Sequence, residues 1–284
     1  MAKPKRIPSQ DLGLELGLLM ARYMLGTEDL HYGLWKPGNE VKLANMPAAQ
    51  EAHTELILGH IPQGVKRILD VGCGAGVIAE RLVQRGYQVD AVAPASQLLE
   101  SAKARLGDRA RVFESRFEEW KHDDVYDLVM FSESFQYVPL DQVIPCCQRV
   151  LRPGGHILIC DFFKRPGMKG GPISGGHKLH EFEKEVARRG LVKLQDIDIT
   201  DETAPNLDLV NDFLQKVGKP AYESVMDFAG KSRPFWTRVA RWWFREKFEK
   251  IEHKYFEGRR TGAAFREYKS YRLFLLQLPA AAQA

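Results

Sequence analysis

The residues best suited to chemistry gather at one turn, Asp70-Val71-Gly72-Cys73-Gly74-Ala75-Gly76, preceded by Arg67-Ile68-Leu69 and followed by Val77-Ile78-Ala79-Glu80-Arg81-Leu82. An apolar run broken by alternating glycines and resumed as a helical pattern reads as strand, tight turn, helix, the opening of a nucleotide-binding α/β unit. Gly72, Gly74 and Gly76 let backbone approach a ligand closely and take positive φ where needed. Asp70 stands two residues before the first glycine, at the strand's carboxyl end. A pyrophosphate cradle wants positive charge and free N–H groups; a carboxylate there suits a cationic, amine-bearing ligand and points to S-adenosylmethionine.

Asp70 to Gly76 resembles the first motif of class I S-adenosylmethionine-dependent methyltransferases. The likeness continues through Asp127-Leu128-Val129-Met130-Phe131-Ser132-Glu133 and Val150-Leu151-Arg152-Pro153-Gly154-Gly155-His156-Ile157-Leu158-Ile159, and it covers residues 60–200 plus the last strand. It implies an α/β, Rossmann-like fold: a seven-stranded, mostly parallel sheet with the last strand antiparallel. On the cofactor side it places Asp70, Gly72, Cys73, Gly74, Gly76 and Ser132, with Phe117 and Glu118 framing the adenine. Two positions depart from the family pattern. Where a carboxylate would hold the ribose stands Ala93, with Asp90 three residues too early and facing the other way, and Arg116 stands where an acidic residue often meets the adenine amine. These leave open an ordinary donor held by other groups, a modified donor, or a lost activity.

On the acceptor side the candidates are Glu133, Gln136 and Tyr137, because ligands in open α/β sheets bind beyond the carboxyl ends of the strands. Helix capping by Glu133 and core packing of Tyr137 are the structural alternatives. His177 and His180 open a helix after a glycine-rich loop, Arg165 to Gly176, read as flexible. A near-neutral pKa makes either one, like Glu133, a candidate proton acceptor in catalysis, although capping or solvent exposure is the alternative. Asp29-Leu30-His31-Tyr32-Gly33-Leu34-Trp35 is either a core-plugging loop or a lid. Its Tyr-Gly-x-Trp is similar to small-molecule members such as tocopherol, sterol and cyclopropane-fatty-acid methyltransferases, which implies that His31, Tyr32 and Trp35 close over the donor.

The elements that must position these groups follow in order. Leu12, Leu16, Leu19, Met20 and Tyr23 predict an amphipathic helix over 11–25, and a second helix runs over 48–61. Strands are expected at Tyr87–Val92, Tyr126–Phe131, His156–Phe162, Leu191–Thr200 and Tyr268–Leu278, with a turn at Pro153-Gly154-Gly155. The chain thus divides into an N-terminal helical lid (1–60), the methyltransferase core (61–200 and 264–279) and a helical insertion (201–263), ending in a frayed tail. The insertion carries Phe235-Trp236-Thr237-Arg238-Val239-Ala240-Arg241-Trp242-Trp243-Phe244-Arg245, a Trp-rich basic stripe that more often packs on its own domain but can lie at a membrane surface over 235–255. Either way it offers an apolar roof.

A net charge of +4 over 284 residues does not by itself imply nucleic acid, and neither an RNA-binding domain nor a base-flipping motif is visible. Cys73, Cys146, Cys147 and Cys160 lack zinc spacing, so no metal is expected and each reads as a small apolar residue in a reducing, cytoplasmic compartment. The N-terminal apolar run is too interrupted for a secretory signal. The expected acceptor is a small molecule, an apolar or aromatic secondary metabolite or an isoprenoid. The alternatives are a membrane-lipid methyltransferase and a non-catalytic binding module. Homo-oligomerisation is left open.

Overall fold

A computed structural model describes residues 9–94, 97–168 and 170–280; the basic N-terminal residues 1–6, Ala95-Ser96, Lys169 and tail residues 281–284 lie outside them. Helix α1 (Ser9–Met20) and α2 (Met46–Gly59) precede β1 (Arg67–Val71), α3 (Val77–Gln84), β2 (Gln88–Ala93), α4 (Gln97–Leu106) and β3 (Arg111–Glu114). Then come β4 (Tyr126–Ser132), α5 (Leu140–Val150), β5 (Leu151–Lys164), α6 (Leu179–Arg188) and β6 (Val192–Asp198). Helices α7 (Thr200–Thr203), α8 (Pro205–Phe213), α9 (Lys219–Ser232), α10 (Pro234–Trp243), α11 (Arg245–Ile251) and α12 (Gly262–Tyr268) lead to β7 (Lys269–Gln277). The seven strands form one sheet in the order β3-β2-β1-β4-β5-β7-β6, with β7 antiparallel to both neighbours. This is the expected Rossmann-like architecture.

Alternation along the strands builds a core on each face. Leu69, Val71, Val129, Phe131 and Ile159 join Val143, Cys147, Phe182 and Val186 of α5 and α6 on one side. Ile68, Leu128, Met130, Leu158 and Cys160 meet Ile57 and Leu58 of α2, Leu82 of α3 and Phe265 of α12 on the other. Helix α2 is therefore part of the core wall, not of a lid spanning 1–60. Pro153-Gly154-Gly155 does not separate a helix from a later strand: extended chain begins at Leu151, and the pairing with β4 jumps from Tyr126↔Leu151 to Leu128↔His156.

The N-terminal helix forms, but its expected contact face is turned outward. Leu16, Leu19, Met20 and Tyr23 are exposed, whereas Leu18 is buried against Ala75 of the glycine turn and Leu98 of α4. Two overlapping stripes share the periodicity, and contact with Ala75 and Leu98 selects the one that carries Leu18.

From Asp208 to Thr261 no residue is buried. Helices α9, α10 and α11 pack on one another and on the flanking residues 214–218 and 252–256. The aromatic stripe does not pack on its own domain: Phe235, Trp236, Trp242 and Trp243 are exposed by 64–74%.

Candidate functional site

The sheet order reverses between β1 and β4, where open α/β sheets bind ligands beyond the strand ends. Asp70 pairs in register with Met130, so Asp70 and Ser132 point from the same face of adjacent strands. Asp70 is 2% exposed and its Oδ2 has no hydrogen-bond partner; Ser132 Oγ is likewise buried and unpartnered. Burial alone pushes the Asp70 pKa up to about 7. A carboxylate kept dry without a partner costs stability unless a cation arrives.

The three glycines do different work. All have positive φ. A Cβ at Gly72 would strike Ser134, whose hydroxyl donates to Val71 O, and one at Gly76 would come within 3.0 Å of Ala102 in α4. A Cβ at Gly74 would meet nothing within 4 Å, so the turn is open on that side. Cys73 supplies only backbone there: its side chain lies with Ala91, Ala93 and Leu99, and burial raises its thiol pKa far above the ordinary value. All four cysteines are free and buried.

Glu133, just past β4, is the one described non-glycine residue with positive φ, at 54°. Such backbone tends to be retained where function requires it. Its Oε1 accepts from the Tyr32 backbone N–H at 2.6 Å and from the Tyr271 hydroxyl at 2.7 Å. Burial raises its pKa, opposed by His31, the Tyr32 N–H and Tyr271. The Tyr271 hydroxyl also lies 3.1 Å from His53 Nε2, and His53 stacks on His31 at 4.8 Å. Burial and the neighbouring His31 hold the His53 pKa well below normal. Burial also depresses His31, but the Asp29 carboxylate 3.3 Å away and Glu133 outweigh it, so its pKa is raised.

The N-terminal segment therefore does reach the strand ends. Glu28 pairs with Arg22 and Arg105, and Arg105 Nε donates to Ala75 O of the glycine turn at 3.1 Å. Tyr32 packs its ring among Phe162, Phe265 and Tyr271. Trp35 does not face the site: its ring is buried and donates to Asn206 Oδ1 at 3.2 Å. Asn206 also accepts from Gly33 N at 2.9 Å and donates to Gly33 O at 2.7 Å. One buried amide thus clamps the segment to α8.

Other expected site residues are placed differently. Phe117 is 2% exposed and packs edge-on to Phe131, so its side chain belongs to the core, not to an adenine face. Glu118 is paired with exposed Arg116 at 3.5 Å. Asp90 turns away from the turn as expected, bound by Arg67, Arg111 and the Tyr126 hydroxyl. His177 is not a free base: its Nε2 lies 3.2 Å and 3.0 Å from the carbonyls of Phe135 and Val138, and burial lowers its pKa. His180 sits on α6 beside Glu181 at 4.0 Å, with no contact to Glu133. Tyr137 is exposed.

Gln136 bridges two groups that residue spacing did not single out. It donates through N and Nε2 to Asp161 at 3.0 Å and 3.1 Å, and its Oε1 accepts from Gly176 N at 3.0 Å. Burial, reinforced by Glu133, pushes the Asp161 pKa up to about 8. Buried Lys269 donates to Gly175 O at 2.5 Å, so the far half of the glycine-rich loop is tied down rather than free. His53, Asn206, Lys269 and Tyr271 stand among other polar residues and carry no motif, whereas Asp161 interrupts the apolar run Ile157-Leu158-Ile159-Cys160 and Phe162-Phe163, which is the one signal the sequence offers for it.

Residues 68–155 match the family model for a methyltransferase domain. An uncharacterised methyltransferase of Mycobacterium bovis is 34% identical over 97 residues, 34% of this chain and 40% of that protein. A ubiquinone biosynthesis O-methyltransferase of Vibrio atlanticus is 29% identical over 145 residues, 46% of this chain and 61% of that protein. The chain thus spans about half the length of the curated relatives it matches. Among solved structures, geranyl diphosphate C-methyltransferase from Streptomyces coelicolor superposes with a TM-score of 0.67 at 17% identity, covering 96% of this chain and 99% of that one. The [4+2]-cyclase SpnF superposes at 0.64 and 18% identity, covering 96% and 95%.

Proposed function

We propose, from the match of residues 68–155 to the family model for a methyltransferase domain and from the strand order, an enzyme that transfers a methyl group from S-adenosylmethionine to a small apolar or aromatic acceptor, an isoprenoid or related secondary metabolite. The observation that carries it is the pair of buried, unpartnered oxygens, Asp70 Oδ2 and Ser132 Oγ, aimed from adjacent strand ends at the switch point. They fit the donor's amino-acid end, with the glycine turn presenting backbone and Gly74 leaving room. Bound there, the donor supplies an electrophilic methyl on a sulfonium centre.

The protein's share is then binding, orientation and proton handling. Asp70 meets the ammonium, and the segment at His31 and Tyr32 excludes water above the strand ends. Glu133 is the proton acceptor: Oε1 is occupied by two donors, whereas Oε2 has no hydrogen-bond partner among the described residues. The aromatic walls at Tyr32, Phe162 and Tyr271 favour an apolar acceptor beside that carboxylate. Holding two reactants in line contributes on the order of 7–11 kcal/mol to lowering a barrier.

The test is calorimetric titration with S-adenosylmethionine and S-adenosylhomocysteine on wild type and Asp70→Ala. Micromolar binding lost in the variant supports the reading, and failure of wild type to bind either ligand overturns it. The SpnF likeness and Ala93 favour a second reading, a ligand-binding fold without methyl transfer. Donor binding without turnover across a panel of apolar acceptors would select it.

A further inference from the structure

Helix α10 is amphipathic, yet it faces the wrong way for a soluble helix. At about 100° per residue, Trp242, Phe235, Val239, Trp243 and Trp236 share one arc, Arg238 flanks it beside Trp242, and Thr237 and Arg241 lie opposite. On the other side Thr237 Oγ1 donates to Ala229 O at 2.8 Å, and Arg241, itself exposed, pairs with Glu252 at 3.8 Å. The aromatic side meets solvent, and Val225 and Phe228 of α9 and Phe244 are exposed as well. A helix normally buries its apolar arc, and an exposed apolar patch of this kind marks a contact surface.

Charge identifies what the surface meets. Between Lys231 and Lys254 stand eight lysines and arginines against three glutamates, a net of +5, whereas the whole chain carries +4. The protein's positive charge is therefore concentrated around this patch. A second copy would bring +5 against +5, which disfavours a self-complementary interface. Aromatic rings flanked by cations match the interface of an anionic bilayer, where rings sit at headgroup depth and Lys and Arg meet lipid phosphates. No described helix is long and apolar enough to cross a membrane.

We propose that the insertion docks the enzyme on an anionic lipid surface through Phe235, Trp236, Trp242 and Trp243, with Arg238 and Arg245 meeting the headgroups. This places the protein where an apolar acceptor would partition, though the docking does not depend on the acceptor's identity.

The experiment is co-sedimentation of the full chain with vesicles of phosphatidylcholine alone or with about a third phosphatidylglycerol. Wild type should bind the anionic vesicles, release at high salt, and show a blue shift in tryptophan emission, because three of its five tryptophans lie in the patch. Trp236→Ala/Trp242→Ala/Trp243→Ala should lower binding about tenfold or more, and Arg238→Glu/Arg245→Glu should do so at low salt. Neither set touches a buried residue, and an unchanged thermal transition checks the fold. Wild type left in the supernatant overturns the proposal. So does triple-variant binding equal to wild type, concentration-dependent self-association abolished by the tryptophan changes, or tighter binding to a single-stranded oligonucleotide than to the vesicles.

Discussion

Asp70 gives the most direct test of the donor site, because its state controls both affinity and stability. Its carboxyl is pushed up to about 7 in the folded protein from an ordinary 3.8. The folded state therefore holds a proton that the unfolded chain releases, and this contribution to stability is full below about pH 4 and lost as pH rises towards 7. Asp70→Asn should remove that slope, measured as the difference in Tm between variant and wild type from pH 4 to 8. Ligand binding runs the other way: an ammonium needs the carboxylate, so wild-type affinity for the donor should fall below pH 7 with proton release on binding. Asp70→Asn should bind on the order of 10–100-fold more weakly, the worth of one charge-assisted hydrogen bond. Glu133→Gln separates roles at the same scale. It keeps acceptors for Tyr32 N–H and Tyr271, so donor binding should persist while kcat falls by roughly 10²–10⁴-fold, read in single-turnover assays. Asp70 was legible from its place before three glycines. The Glu133 partner Tyr271 was not, since 138 residues separate the two and only the folded sheet brings them together.

At the scale of elements, the 29–35 segment depends on one amide. Asn206 is 3% exposed and serves Gly33 N, Gly33 O, Trp35 Nε1 and Thr203 O. Asn206→Ala leaves buried backbone and indole N–H groups without partners, which should cost about 1–3 kcal/mol and raise KM for the acceptor more than it lowers kcat. Gly33→Ala tests the same seam from the other side, since its Cβ would come within 2.6 Å of the Ala49 Cβ in α2. Both should lower Tm and expose the 29–35 segment to limited proteolysis. Strands and helices around the glycine turn were readable because a buried parallel strand is a short apolar run between turn signals. The orientation of α1 was not: leucines at 12, 14, 16, 18 and 19 serve two stripes equally, and contact with Ala75 and Leu98 decided between them. The turn at Pro153-Gly155 misled for a related reason, because a bulge inside a strand uses the same residues as a loop between elements.

Across the whole molecule, stability is distributed unevenly, and this follows from how the sequence spends its apolar residues. The sheet buries β1, β4, β5 and β7 on both faces, while the stretch from Asp208 to Thr261 buries nothing and leaves its largest rings in water. Helices held only by half-buried contacts and exposed hydrogen bonds open at low free energy. Native-state hydrogen exchange should therefore show amides of α9, α10 and α11 exchanging through local opening, well before those of the central strands, which should require global unfolding. Adding anionic vesicles should slow exchange in α10 and leave the strands unchanged, whereas adding donor should protect the glycine turn and the 29–35 segment and leave α10 alone. Two ligands protecting two separate regions would make the insertion an independent module carried by the seven-stranded fold. Protection of α10 by donor alone would mean instead that the insertion closes over the site, and its aromatic arc would then belong to the acceptor pocket rather than to a membrane.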